Sequence, residues 1–276
     1  MFMQIIYEPK GKALEYSPLA CNLYKGCPHG CRYCYGPTIP NPAKKGLTMD
    51  EWTRQWHSKS VVKKGAMANL ERDCWQMHRR GDTRPVLLCF ACDPYPPDEP
   101  PTMLYGPMTR RALGIMNDRG ITPIILTKGG TRACRDFDIL KAAGGWFGQT
   151  VALGCEYEQI NKDWEPNAAA LPDRYGAFQE ARRREVKTWV SIEPVLFPDG
   201  TARAIWGLAD SKVDHFKLGK LSGYDRETRA IEKSINWPEY REQAVAILLS
   251  AGYEQLTEPG VFEAGTFYVK SELKEA

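Results

Sequence analysis

Six short apolar runs recur along the chain, and stretches of helical periodicity lie between them. The runs are "LACNLY" (19–24), "PVLLCFAC" (85–92), "TPIILT" (122–127), "TVALGC" (150–155), "KTWVSI" (187–192) and "VDHFKL" (213–218). Between them, "KKGAMANLERDCWQMHRR", "MTRRALGIMNDRG", "RDFDILKAAG" and "PDRYGAFQEARRRE" space their apolar residues as helices do, and Gly120 and Gly144 fit helix C-termini. Continuous apolar runs of this length read as strands buried on both faces of a parallel sheet. Six strand–helix units suit an incomplete (β/α)6 barrel of the TIM type better than an open dinucleotide-binding sheet. No GxGxxG follows the first run, which removes the usual sign of such a site.

The expected barrel core runs from about residue 16 to 220 within a single domain covering 1–276, and residues 221–276 form a C-terminal extension. In that extension "WPEYREQAVAILLSAG" reads as a closing helix and "GVFEAGTFYVKSEL" as a strand or hairpin that packs on the barrel or covers its mouth. No apolar run approaches the ~18 residues of a membrane span. The N-terminus "MFMQIIYEPKGK" lacks the apolar stretch of a secretory signal. Nine cysteines without such a signal suggest a reducing, cytoplasmic setting, where clustered thiols bind metal or do chemistry. A net charge of +3 permits a nucleic-acid partner without arguing for one.

Three of the cysteines are clustered. "KGCPHGCRYCYGP" places Cys27, Cys31 and Cys34 at C-x3-C-x2-C spacing, with Tyr33 before the last thiol and Gly26, Pro28 and Gly30 suited to a tight loop. Soft thiolates this close select zinc, copper(I) or an iron–sulfur cluster. A structural zinc site closes four ligands, commonly from two separated pairs, and no second pair follows. His29 offers a cramped fourth zinc ligand, and Cys21 a fourth cluster ligand from within the first strand. Three thiolates on a four-iron cluster leave one iron open, which is the mark of a reactive site.

The C-x3-C-x2-C motif with its preceding aromatic resembles that of the radical S-adenosylmethionine (radical SAM) superfamily. The resemblance implies a partial (β/α)6 barrel and a [4Fe-4S] cluster held by Cys27, Cys31 and Cys34. It further implies that S-adenosylmethionine (SAM) chelates the open iron. Reductive cleavage of SAM would then give a 5′-deoxyadenosyl radical that abstracts hydrogen, with a reductant such as flavodoxin or ferredoxin. "CDPYPPDEP", "LTKGGTRACRD" and "YVK" resemble the spore photoproduct lyase-like group, sometimes labelled DNA repair photolyases, over about residues 16–220. That likeness implies a nucleic acid or nucleotide as substrate. The alternatives are a radical SAM enzyme acting on a peptide or small metabolite, and a non-catalytic iron–sulfur or zinc protein.

Barrel enzymes carry their chemistry at the C-terminal ends of the strands, so the polar residues after each run are the candidates. Lys128 can pair with the SAM carboxylate, and Glu156 and Glu193 can accept hydrogen bonds from its ammonium or ribose hydroxyls. Tyr33 lines the adenine by resemblance, and Asp93 and Ser191 complete the expected cofactor contacts. Cys92 is the candidate hydrogen donor, while Cys89 reads as core. Neither has the offset of the lyase's own donor cysteine, which argues against thymine-dimer chemistry. Lys217 and Lys220 read as structural, and Trp164 is weighed as a base-stacking residue against loop packing. "HRRGDTR", "TRRAL" and "ARRRE" read as solvated helix faces, with a phosphate-binding surface as the alternative.

Overall fold

The computed structural model describes residues 4–39, 46–98, 107–223 and 225–276. Its strands are β1 (Ile6–Tyr7), β2 (Leu19–Cys21), β3 (Tyr24–Lys25), β4 (Val61–Val62), β5 (Val86–Leu88), β6 (Pro123–Thr127), β7 (Trp146–Thr150), β8 (Lys187–Ile192), β9 (His215–Leu218), β10 (Glu254–Leu256) and β11 (Thr266–Val269). The helices are α1 (Met49–Trp56), α2 (Ala66–Arg80), α3 (Met108–Asp118), α4 (Phe137–Ala142), α5 (Glu158–Trp164), α6 (Leu171–Arg183), α7 (Pro198–Asp210), α8 (Arg226–Ser234), α9 (Trp237–Ser250) and α10 (Ser271–Lys274).

The main sheet runs β1-β2-β5-β6-β7-β8-β9-β11-β10. Every neighbouring pair is parallel except β1 with β2. β1 and β10 are its two edges, so no barrel closes among the described residues. Five of the six expected runs hold a strand of this sheet, the fourth strand lies just before its expected run, and the sheet does not stop at six. Of the anticipated C-terminal strand or hairpin, the strand is found: it is β11, hydrogen-bonded in parallel to β9, with β10 beyond it.

Period-two alternation sorts the strand residues into two faces. Val86, Leu88, Ile125, Phe147, Val190 and Phe216 pack with helix residues such as Leu70, Leu113, Phe178 and Leu208 in the larger core. Leu87, Ile124, Trp146 and Trp189 form a separate inner cluster with Tyr16, Phe90, Leu126 and Phe262. Phe262 touches Trp146, Trp189 and His215 at ring-centroid distances of 5.5, 5.0 and 5.2 Å, so it plugs the inner face.

Two strand expectations shift. The fourth strand is Trp146–Thr150, not 150–155. All its residues are buried, and Gly148 is small because the Trp189 indole fills the space a Cβ would need. The first run breaks at Asn22, whose Oδ1 accepts from the backbone N–H of Phe90 and Ala91, both at 2.8 Å. Tyr24–Lys25 beyond it pairs antiparallel with β4 in a separate ribbon.

Candidate active site at the cysteine loop

The cysteine loop follows β3 and is tied down on two sides. On one side Cys27 N–H donates to Trp56 O at 3.0 Å, and His57 Nδ1 lies 2.8 Å from Cys27 O. Gly26, at φ +81°, has no room for a Cβ against the carbonyls of Lys59 and Trp56. On the other side Arg32 N–H donates to Trp164 O at 2.9 Å, Asn167 N–H to His29 O at 3.1 Å, and Asn167 Nδ2 to Pro28 O at 2.9 Å.

Asp93 anchors the loop from below. Its Oδ1 accepts from Thr127 Oγ1 at 2.5 Å and Tyr95 N at 2.8 Å. Its Oδ2 accepts from Lys128 N at 2.7 Å and lies 3.4 Å from His29 Nδ1. Burial alone would raise this carboxyl, yet His29 and these hydrogen bonds outweigh it and hold the group well below the usual carboxylate range. Arg132 lies 3.0 Å from the other ring nitrogen of His29. Both His29 nitrogens are therefore occupied by protein partners, and His29 is not placed as a zinc ligand. Cys21 sits fully buried in the outer core, which likewise removes it as a fourth ligand.

Burial pushes the Cys27 thiol up to about 12, against opposing hydrogen bonds from the backbone amides of His29 and Asp93. It raises Cys34 too, opposed by the Gly36 amide and Lys128. Cys31 is raised well above its ordinary value by burial, with Lys128 opposing. These amides and the ammonium all favour thiolates, the form that ligates metal. Among the described residues no three His, Cys, Asp or Glu side chains gather closely enough for a single metal ion. A polynuclear cluster, in which each thiolate meets its own iron, needs no such convergence. Three thiols on one loop, with donors that favour their thiolates, are a donor set that suits an iron–sulfur cluster.

Lys128 Nζ stands 5.3 Å over the Tyr33 ring and 3.8 Å from Glu165. Glu165 is itself held by the fully buried Arg174. Tyr33 stacks on Trp164 at 6.4 Å, and Arg32 covers that indole at 4.7 Å. Trp164 is thus buried support for the loop and is not free to stack on a base.

Ser191, in β8, and Glu193, just past its end, belong to the inner face. Tyr16 OH donates to Glu193 Oε2 at 2.6 Å and lies 3.1 Å from Ser191 Oγ. Lys270 Nζ donates to both Glu193 oxygens, at 3.0 and 2.8 Å. Tyr35 links this group to the loop. Its hydroxyl donates to Phe90 O at 2.8 Å and is raised first by burial, then by Cys34, Tyr7 and Glu193.

Two expected contacts stand elsewhere. Glu156 is about half exposed on the rim, with Arg203 at 3.9 Å as its ion partner, because it follows the true end of β7 by six residues on a short helical turn. Cys92 lies in the outer core, where burial and a hydrogen bond to Cys89 push its thiol well up. That packing gives no support to a hydrogen donor in the lumen. The expected loop "DPYPPDEPP" lies outside the described residues from Glu99 onward.

Lys217 is a core lysine, donating to Glu15 O at 2.9 Å and Tyr16 O at 3.0 Å, and Lys220 pairs with Glu232 at 3.4 Å. The basic helix stretches find local carboxylates. Arg110 pairs with Asp136 and Asp138, Arg84 with Asp82 and Glu8, and Arg183 and Arg184 with Glu180. Residues that sequence reading missed are His29 and Arg132 as loop anchors, Tyr16, and Lys270. A groove of about 500 Å³ lined by Leu14, Pro85, Thr122 and Phe262 opens at the opposite, N-terminal end of the strands.

No family model and no curated protein sequence matches this chain. Solved structures do. Spore photoproduct lyase complexed with dinucleoside spore photoproduct superposes with a TM-score of 0.62 at 12% identity, over 96% of this chain and 78% of the lyase. SuiB of Streptococcus suis bound to S-adenosylmethionine superposes with a TM-score of 0.59 at 13% identity, over 91% of this chain and 50% of SuiB. SuiB has also been solved with its precursor peptide SuiA. These are radical SAM enzymes, and the fold of this chain is theirs. The chain spans half the length of SuiB and most of the lyase. Among the described residues no helix is long and apolar enough to cross a membrane.

Proposed function

We propose that the chain is a radical SAM enzyme, with Cys27, Cys31 and Cys34 as the protein ligands of a [4Fe-4S] cluster. The observation that carries this reading is the C-x3-C-x2-C loop at the rim of a parallel sheet, with Cys31 buried, Cys27 and Cys34 half-buried, and backbone amides and the Lys128 ammonium that favour their thiolates. When bound, the cluster supplies the electron that cleaves SAM to methionine and a hydrogen-abstracting 5′-deoxyadenosyl radical. Lys128 is the partner for the SAM carboxylate, since its ammonium is already beside Cys31 and Cys34. Tyr33 lines the adenine. Glu193, about one-fifth exposed and steadied by Tyr16 and Lys270, accepts from the SAM ammonium or ribose hydroxyls. Asp93 acts through the loop and not on SAM, because its carboxylate is buried among Thr127, the Tyr95 and Lys128 amides and His29.

The substrate class we favour bears a nucleobase. The half-exposed Tyr35 ring offers a stacking face there, and the lyase is covered more completely than SuiB. The test is anaerobic reconstitution followed by deuterium transfer from candidate nucleosides and oligonucleotides into 5′-deoxyadenosine. Transfer from a peptide alone would move the substrate class to the SuiB type. A flavodoxin or ferredoxin would serve as the electron donor.

A further inference from the structure

β11 brings a charge into the lumen that the chain order does not announce. Thr266, Tyr268 and Lys270 share its inner face, and Lys270 N–H donates to Leu218 O at 2.9 Å, continuing the ladder one residue past the strand. The Lys270 side chain is 2% exposed and that of Glu193 is 20% exposed. The pair is therefore sealed on the lysine side and open on the carboxylate side. Tyr16 OH closes a third edge at 2.6 Å, with the Lys270 ammonium 4.6 Å over its ring. Glu272 Oε1, at 3.6 Å, is the second carboxylate near Lys270, and Lys12 already pairs with Glu272. Gly219 lies against the pair, and a Cβ there would collide with the Glu193 carboxylate and crowd the Lys270 stem. The neighbouring Lys217 spends two of its donors on backbone carbonyls, leaving Lys270 as the cation bonded to Glu193.

We propose that Lys270 is a positioning residue for Glu193, fixing its carboxylate so that the open side faces the mouth and meets a hydrogen-bond donor of SAM. The inference rests on the assignment of Glu193 as a SAM contact. A carboxylate with a buried side and no cation either protonates or turns toward water, and in both cases stops presenting a fixed acceptor. A purely structural ion pair would behave differently, since a buried pair can contribute fold stability without touching a ligand.

The two roles separate in a double-mutant cycle on full-length, iron-loaded protein. Lys270→Met, Glu193→Gln and the double variant are first matched to wild type in iron and sulfide content. The dissociation constant for SAM is then measured by equilibrium dialysis without reductant. Each single variant is expected to weaken SAM binding by ~10-fold or more, the worth of a charge-assisted hydrogen bond. The double variant is expected to weaken it no further than the worse single one. Wild-type affinity in Lys270→Met, or losses that multiply in the double variant, would overturn the proposal. Should Lys270→Met fail to fold, Gly219→Ala displaces the carboxylate while keeping both charges. It must then weaken SAM binding comparably, and unchanged affinity would overturn the proposal. Iron-replete wild type that binds no SAM would instead overturn the enzymatic reading itself, and this inference with it.

Discussion

The cysteine loop and the charged lumen lie on the same rim, yet they are built in opposite ways. The loop packs its chemistry into eight consecutive residues from Cys27 to Cys34, and distant residues such as Asp93, Arg132 and Asn167 only steady it. The lumen group has no local core. Tyr16, Ser191, Glu193, Lys217 and Lys270 come from four separated segments and meet only because the sheet places them side by side. A short loop can be recognised by spacing, whereas a site made by strand order exists only after folding.

The largest expected effect breaks the loop. Cys34→Ala should abolish both iron incorporation and SAM cleavage, measured by iron content and by release of 5′-deoxyadenosine. An unchanged cleavage rate would remove the cluster assignment. Asp93→Ala sharpens the comparison by cutting the anchor without touching a ligand. Loss of one partner from a buried charged network costs about 3 kcal/mol, and residues that support metal ligands affect metal affinity by ~10–100-fold. Chemical denaturation and iron retention after desalting should therefore both fall, while Lys270→Met keeps its iron and loses SAM.

A separate effect probes the inner face by pH. Burial, and then the charge of Lys217, push the His215 imidazole down to about 3. The unfolded ring titrates near ~6.5. Unfolding therefore takes up a proton between those values, so this contribution to stability falls as pH drops from about 6.5 toward 3, by at most ~1.4 kcal/mol per unit. The stability difference between wild type and His215→Gln should slope across that window. A flat difference would show that the ring is not held neutral. The smallest effect is at the surface. Arg183→Ala with Arg184→Ala removes exposed pairs to Glu180 and should leave oligonucleotide binding unchanged at several salt concentrations.

The same contrast explains what could be read without a structure. The parallel order was legible because apolar runs are local signals, and the thiol spacing that marks the candidate ligands is local in the same way. β7 was misplaced because "WFGQT" carries a glycine and a glutamine, while "TVALGC" beside it has the more strand-like composition. The glutamine is satisfied by donating to Arg174 O at 2.6 Å, a contact with no trace in its neighbours. That shift also carried Glu156 from an expected lumen position to the rim. Lys270 had a faint signal, since Thr266, Tyr268 and Lys270 alternate in "TFYVK". Its partner Glu193 lies 77 residues away, and only the pairing of β11 with β9 reveals it. Of the two readings weighed for Trp164, loop packing is the one the structure carries, since the indole is spent on Tyr33.

The central claim is that three thiols hold a cluster that activates SAM. Protein reconstituted anaerobically with iron and sulfide, reduced with dithionite and given SAM should release 5′-deoxyadenosine and methionine in equal amounts. Protein that is purified anaerobically with zinc and no iron, or that carries its full iron and leaves SAM intact, would contradict the account.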